Sequence, residues 1–372
     1  MLQFNRYVLS GETDDFHIRF IALVNSIIYE MPGDMNASMD KLRALASAYP
    51  LNDRLPAVAA RLFFWGKVSW DDIQPILPVT LPGNMFYKQE IVGCLGYERA
   101  ARKYGIGEDQ WNLLQGFDTF FPVRNLKGSQ SVSYRPRNSG FFSVIENIIA
   151  AACVAELDGQ NFVVDLSGNW WQYDEPFESI FAGTFEYTDE GVLPQMRFDG
   201  MRKRWFTASD DLASALSTMK AEWYRQIYQD IGSYAPSVQG IDNCGVMFVR
   251  GGDKLQTETI MPPKTLIRRD LKMMERLCQN RYVLSDDKDV GDTIAQLDGY
   301  VIDRSHQVEG GYHHHPGRKT SCMNILGNYL AMVEAKINFS CPSANIVNAA
   351  QWTRNDYENY SQANPVYRYL LI

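Results

Sequence analysis

Residues 245–258 read Gly245-Val-Met-Phe-Val-Arg250-Gly-Gly-Asp253-Lys254-Leu-Gln-Thr-Glu258, and the reading of the fold starts from them. Residues 245–249 form a short apolar run, the pattern of a strand buried on both faces. Arg250 follows at its carboxyl end, then a glycine pair, then Asp253 and Lys254. Open α/β sheets collect ligands just beyond the carboxyl ends of their strands. A guanidinium there can fork onto two anion oxygens, and glycines let backbone N–H groups approach the same anion. Glu258 lies close enough in sequence to offer a carboxylate beside an anchored ligand. Alone, these residues describe a strand, a turn and a surface salt bridge more readily than a ligand site.

Working outward, the two flanks differ in character. Residues 1–125 carry apolar residues at helical spacing over 18–29, 37–48, 55–64 and 91–104. They are punctuated by Pro32-Gly33, Pro50, Pro78 and Pro82-Gly83. This predicts an α-helical N-terminal module with no catalytic constellation. Near Phe120 the pattern changes. Residues 129–134 alternate as a strand, residues 135–140 form a turn-rich loop, and residues 141–157 give a long apolar helix. Residues 162–166 are the next strand, with Asp165 near its carboxyl end. Strand, glycine-containing loop, helix and strand make one unit of a doubly wound sheet. Gly140 and Ser143 stand where a helix N-terminus meets a ligand oxygen. The glycines do not follow G-x-G-x-x-G, which argues against a nicotinamide-dinucleotide site. Further strands are expected near 184–187 and 195–198, with helices over 177–181 and 209–231, and a linker over 234–240.

Beyond the opening strand, helices are expected over 264–278 and 321–336, with strands over 281–284, 300–302 and 337–340. Pro342-Ser343-Ala344-Asn345 opens the last helix. Three strands of this half thus run into polar motifs, and a parallel sheet gathers such ends on one edge. The expected domains are residues 1–125, 126–240 and 241–372.

Composition narrows the function. Across 372 residues, net charge is −8 and the pI is near 5.3. That argues against nucleic-acid coating and against adhesion to anionic membranes. The six cysteines include no C-x-x-C pair and read as reduced core thiols. The N-terminus lacks the basic and apolar blocks of a signal peptide, and no apolar run approaches the ~20 residues of a membrane helix. A cytoplasmic protein is the expectation. His313-His-His315 invites a metal, but adjacent loop residues rarely point at one ion, and no partner sits at zinc-like spacing. Ser285-Asp286-Asp287 reads either as a Mg²⁺ site or as a helix cap. No G-x-S-x-G or His/Cys dyad supports a hydrolase.

The order of motifs resembles a family. Gly140-Phe-Phe-Ser143 precedes a long apolar helix. Val249-Arg-Gly-Gly-Asp-Lys254 with Glu258 follows, then Ser285-Asp-Asp287, Gly310-Gly-Tyr-His-His314 and Ser343-Ala-Asn-Ile-Val347. This is similar to the GDP-fucose-dependent fucosyltransferases, the group of α1,6- and nodulation-type enzymes and protein O-fucosyltransferases, over about residues 130–352. The resemblance implies an α/β chain of two facing Rossmann-like domains (the GT-B arrangement), the second binding the donor and the first the acceptor. It also implies an inverting transferase that uses GDP-fucose and needs neither metal nor cofactor. Its partners would be a nucleotide-sugar donor and a glycan or protein acceptor, with no nucleic acid and no integral membrane segment.

Carried over by position, Arg250 matches the arginine that holds the donor's β-phosphate, and Glu258 the carboxylate proposed as base. Asp253 and Lys254 complete the first motif. Asp286 falls in the family's Thr-Asp-Asp, His313 on the histidine after the glycine pair, and Ser343 on the phosphate-binding serine, followed by Ala344 and Asn345. Asn328 falls on the aspartate that reads the guanine edge. Phe248, Gly251 and Asn328 depart from the family's His, second Arg and Asp. The acceptor is expected against residues 135–143 and Trp170, Trp171 and Tyr173, whose flat faces suit sugar rings; burial of two of the three in the core is the alternative.

Overall fold

The computed structural model describes residues 35–64, 66–83, 85–115, 129–136, 139–168, 170–196, 210–235, 240–249, 264–278, 280–285, 322–340 and 345–354. Expected elements over 18–29 and 300–302 lie outside these residues.

The N-terminal part is helical among the described residues: α1 (Met35–Ala48), α2 (Arg54–Phe64), α3 (Trp70–Ile73), α4 (Met85–Leu95), α5 (Tyr97–Tyr104) and α6 (Glu108–Gln115). Its buried residues, from Met39 to Ile106, form a hydrophobic cluster of their own. The helix expected over 91–104 is in fact the end of α4 and all of α5. Gly96, at φ +76°, breaks it and serves as the N-cap of α5. Helix α3 owes its start to a capping box, with Ser69 and Asp72 satisfying each other's backbone N–H. Within the cluster, Arg61 of α2 and Glu90 of α4 form a salt bridge with both side chains almost fully buried.

Gly96 offers a test of this break. A Cβ added there meets nothing within 4 Å, so only the left-handed backbone opposes a side chain. Gly96→Ala is expected to cost about 1–2 kcal/mol, read as a lowered midpoint in urea unfolding. An unchanged midpoint would remove the backbone argument.

The rest of the described chain is mixed α/β. Strands β1 (Ser131–Tyr134), β2 (Asn161–Asp165) and β3 (Glu186–Thr188) make a parallel sheet in the order β1-β2-β3. Helix α7 (Phe141–Leu157) joins β1 to β2, and the short α8 (Phe177–Ile180) lies between β2 and β3. Of the strand expected near 195–198, the described residues 195–196 contain a parallel bridge, Ser133 to Gln195, and residues 197–198 lie outside the described residues. After α9 (Asp210–Tyr234) come β4 (Cys244–Val249), α10 (Lys264–Leu277), β5 (Asn280–Ser285), α11 (Cys322–Glu334), β6 (Ile337–Asn338) and α12 (Asn345–Arg354). The second sheet is also parallel, in the order β5-β4-β6.

The opening stretch is its central strand. Every residue of β4 is buried, as a strand covered on both faces requires. Leu271, Met274 and Cys278, on and just after α10, recur on one buried side. They come close because Gly245 has no side chain: a Cβ there would stand 3.1 Å from Met274 Cε.

The two sheets share one hydrophobic cluster, from Val132 to Ala350. Helix α7 explains this. Twelve of its 17 residues are buried, far more than one apolar stripe supplies, so it is covered on more than the sheet side. It packs on β1 and β2 and also on α9 and α12. Phe142 of α7 meets Tyr329 of α11 with ring centroids 4.9 Å apart. Polar ties cross as well. Cys322 N donates to Asp174 Oδ1 at 2.7 Å and Tyr228 Oη to Glu334 Oε1 at 3.2 Å, while Lys220 Nζ, meeting Glu146 Oε1 at 3.0 Å, ties α9 to α7.

Candidate functional site

In the second sheet, Val249 is in register with Ser285, and Val246 with Asn338. All three strands point the same way, so their carboxyl ends form one edge. Just past β6, Phe339 N donates to Val246 O at 2.8 Å and Phe248 N donates to Ser340 Oγ at 2.8 Å. Ser340 also hydrogen-bonds Asn338 Oδ1 through its N–H, at 3.0 Å, and its hydroxyl. Both Ser285 and Ser340 are buried. The chain therefore leaves this edge three times from fixed points, and each exit runs into a polar motif: Arg250 onward, Asp286-Asp287, and Pro342-Ser343-Ala344. Arg250, Asp253, Lys254, Glu258, Asp286, His313, Ser343 and Ala344 lie outside the described residues.

Asn345 is the first residue of α12, whose far side packs into the shared cluster through Ile346, Val347, Ala349 and Ala350. Helix α12 packs on α7, α9 and α11. Asn328 is in mid-α11 and only 1% exposed. Its neighbour Tyr329 is fully buried, with its hydroxyl 2.6 Å from Thr353 Oγ1, and burial raises its pKa.

The first sheet has its own carboxyl edge. Gly140 is the N-cap of α7; its carbonyl accepts from Val144 N at 3.0 Å, and Ser143, in the first turn, is half-buried. An unobstructed helix start favours negative charge or ligand oxygens. Beside it lies a cluster that pattern reading missed. Asp165, the last residue of β2, is fully buried. Its Oδ2 accepts from Arg135 Nε at 3.2 Å, Arg135 Nη2 at 2.9 Å and Gln195 Nε2 at 2.6 Å; its Oδ1 accepts from Ser167 N at 2.8 Å. Burial by itself would raise this carboxyl's pKa. The hydrogen bonds from Ser167 and the Arg135 charge outweigh it and hold the group below its ordinary value. The missed signal was positional: Arg135 and Asp165 both stand at the carboxyl ends of adjacent strands.

The aromatic expectation resolves toward the core. Trp170 and Tyr173 are buried and Trp171 is half-buried. Trp170 Nε1 donates to Asp165 O at 3.2 Å, and Trp171 Nε1 to Glu175 O at 2.6 Å. Phe141 packs against Trp171 and Tyr173, with centroids 5.1 and 5.0 Å away. Trp171 and Tyr173 thus brace the start of α7, Trp170 packs on Trp171 and Phe177, and the burial of Trp170 and Tyr173 makes both core residues. The cause is the density of rings here: Phe177 and Phe181 close the same cluster.

Cys94, Cys153, Cys244, Cys278 and Cys322 form no disulfide and are buried, and burial pushes the thiols of Cys153 and Cys322 up to about 12. Cys153 and Cys322 are therefore packing groups at neutral pH. Among the described residues, no group of three or more His, Cys, Asp or Glu side chains could hold a metal ion, and no helix is long and apolar enough to cross a membrane.

No family model and no curated protein matches the chain. Solved structures do. One is NodZ α-1,6-fucosyltransferase soaked with GDP-fucose, at TM-score 0.34 and 13% identity, covering 60% of this chain and 92% of that one. The same enzyme co-crystallised with GDP gives TM-score 0.32 and 14% identity over the same shares. A mutant of Arabidopsis thaliana FUT1 in complex with GDP gives TM-score 0.35 and 14% identity, covering 73% of this chain and 78% of that one.

Proposed function

We propose that the chain is an inverting glycosyltransferase that needs no metal ion and moves fucose from GDP-fucose to a hydroxyl of a glycan or protein. The observation that carries the reading is the edge of the second sheet. There three exits in the order β4, β5, β6 lead into Arg250-Gly-Gly-Asp-Lys254, Asp286-Asp287 and Ser343-Ala-Asn345. That is the motif order of the GDP-fucose-dependent enzymes, and a parallel sheet brings such segments to one side. In this reading residues 241–372 form the donor domain, residues 126–240 the acceptor domain in a GT-B arrangement, and residues 1–125 a helical module.

Arg250 binds the β-phosphate and offsets the charge that grows as GDP departs. Ser343, Ala344 and Asn345 add hydroxyl and backbone donors at the start of α12. Asp253, Lys254, Asp286 and His313 complete the polar surround as hydrogen-bonding groups, and Asn328 lies toward the base. Glu258 takes the acceptor hydroxyl's proton. The acceptor oxygen attacks the anomeric carbon, the bond from that carbon to the phosphate oxygen breaks, and GDP leaves with both electrons. Gly140 and Ser143 face the sugar or acceptor from the start of α7. The reaction is placed in the cytoplasm.

The test is turnover. GDP release from GDP-fucose is expected to rise above a no-enzyme control with a productive acceptor and to survive EDTA. Loss on chelation, restored by Mn²⁺, would assign Asp286 and Asp287 to a metal. A parallel thermal-shift panel of GDP, UDP, ADP and CMP is expected to favour GDP, because a ligand of the native state raises apparent stability. Stabilisation by UDP alone would replace the donor. GDP binding without release across the acceptor panel would favour a second reading, a non-catalytic nucleotide-sugar-binding protein on the same fold.

A further inference from the structure

We infer that a cavity at the amino edge of the first sheet is a binding position for one neutral pyranose unit of a glycan, stacked on Trp223. The cavity measures about 330 Å³. That lies at the low end of ligand-site volumes, roughly 300–1,000 Å³. Its walls come from four elements. Glu156 belongs to the last turn of α7, Asn161 and Phe162 open β2, Glu186 opens β3, and Trp223 projects from mid-α9. These are strand starts, whereas Asp165 and the candidate acceptor loop stand at strand ends. The length of β2, roughly 13 Å at ~3.3 Å per residue, separates the two.

The lining chemistry selects the ligand. A pyranose presents one apolar C–H face and a rim of hydroxyls. Trp223 supplies a flat partner for the face. It is half-buried, and Phe185 stacks on it at 5.3 Å and 11°, which fixes the indole in the cavity wall. Glu156 and Glu186 accept hydroxyl protons, and the Asn161 amide can both donate and accept. All three side chains are exposed. Thr184, also in the wall, already gives its hydroxyl to Asp230 Oδ2 at 2.6 Å, so Asp230 is engaged and the two glutamates are the carboxylates facing the cavity. No Lys or Arg lines this cavity, which disfavours a sulfated or phosphorylated unit. Phe162 and Phe185 also line the wall, so a quaternary cation, tetramethylammonium, is the competing ligand that the test includes. The inference is independent of the proposed reaction, because its test reads binding and no turnover.

The test uses the full chain labelled with ¹⁵N at tryptophan. The Trp223 indole resonance is assigned by its disappearance in Trp223→Phe. Cellotetraose, chitotetraose and mannotetraose serve as probes. At least one is expected to move that resonance saturably, while GDP leaves it in place. In a Glu156→Ala, Glu186→Ala double variant, which changes only exposed side chains, the Kd is expected to rise at least tenfold. No movement with any of the three sugars would overturn the inference. So would movement with tetramethylammonium alone, or an unchanged Kd in the double variant. Failure here leaves GDP release intact, and failure of GDP release leaves this binding intact.

Discussion

Arg250→Ala is expected to lower kcat/KM for transfer by roughly 10²–10³, about 3–4 kcal/mol of transition-state stabilisation. The residue follows β4, whose six residues are all buried, so the exit point of the chain is held by the sheet. Its neighbour on one side is the exit from Ser285, and on the other the segment after Ser340, whose hydroxyl accepts from Phe248 N. In the proposed reaction its guanidinium would fork onto two phosphate oxygens, one of which takes the charge when the bond to the sugar breaks. The loss should therefore fall more on kcat than on donor KM, because the charge is greatest in the transition state. Arg250→Lys should recover only part of the activity, since an ammonium keeps the charge and loses the fork. The measurement is steady-state GDP release with both substrates varied. Near wild-type transfer by Arg250→Ala would remove Arg250 from the site and with it the main support for the reaction.

Much of the fold was legible because burial leaves a mark on residue type. β4 read as a strand from its apolar run, and α7 read correctly over 141–157 because it is apolar nearly all round and ends at Asp158-Gly159. The break at Gly96 was less legible: apolar spacing continues across it, and only the positive φ shows that the chain turns. The fates of Trp170 and Tyr173 were not legible either. An indole suits a core and a sugar platform equally, and what decides is the approach of Phe141, Phe177 and Phe181 from elsewhere in the chain. For the candidate site, motif order was legible and geometry was not. The edge of the second sheet shows where the polar segments start, and eight of the proposed positions lie beyond the described residues. The Arg135–Asp165 pair spans 30 positions of sequence, and its existence depends on β1 lying beside β2.

That pair carries the second large effect. Asp165→Asn is expected to cost about 2–3 kcal/mol at pH 7, below the usual range for a broken buried pair because Arg135 can partly rehydrate. The Asp165 side chain is 0% exposed and that of Arg135 35%. The amide keeps the volume but loses the charge that faces Arg135, and one of its two polar ends is a donor turned toward the donors of Arg135, Gln195 or Ser167. The pH dependence has a definite sign. The folded Asp165 carboxyl titrates below its ordinary value, so on acidification the unfolded chain takes up the proton first. The stabilisation is fully present above the unfolded value, about 3.9, and is lost as pH falls through the lower folded value. Urea unfolding of both proteins at a series of pH values reads this directly. The stability gap should be constant from pH 7 to about pH 5 and should narrow below about pH 4, as the wild-type carboxyl loses its advantage over the amide. A gap that stayed constant below pH 4 would mean that shape alone, and no charge on Asp165, holds the loop that leads from β1 to α7.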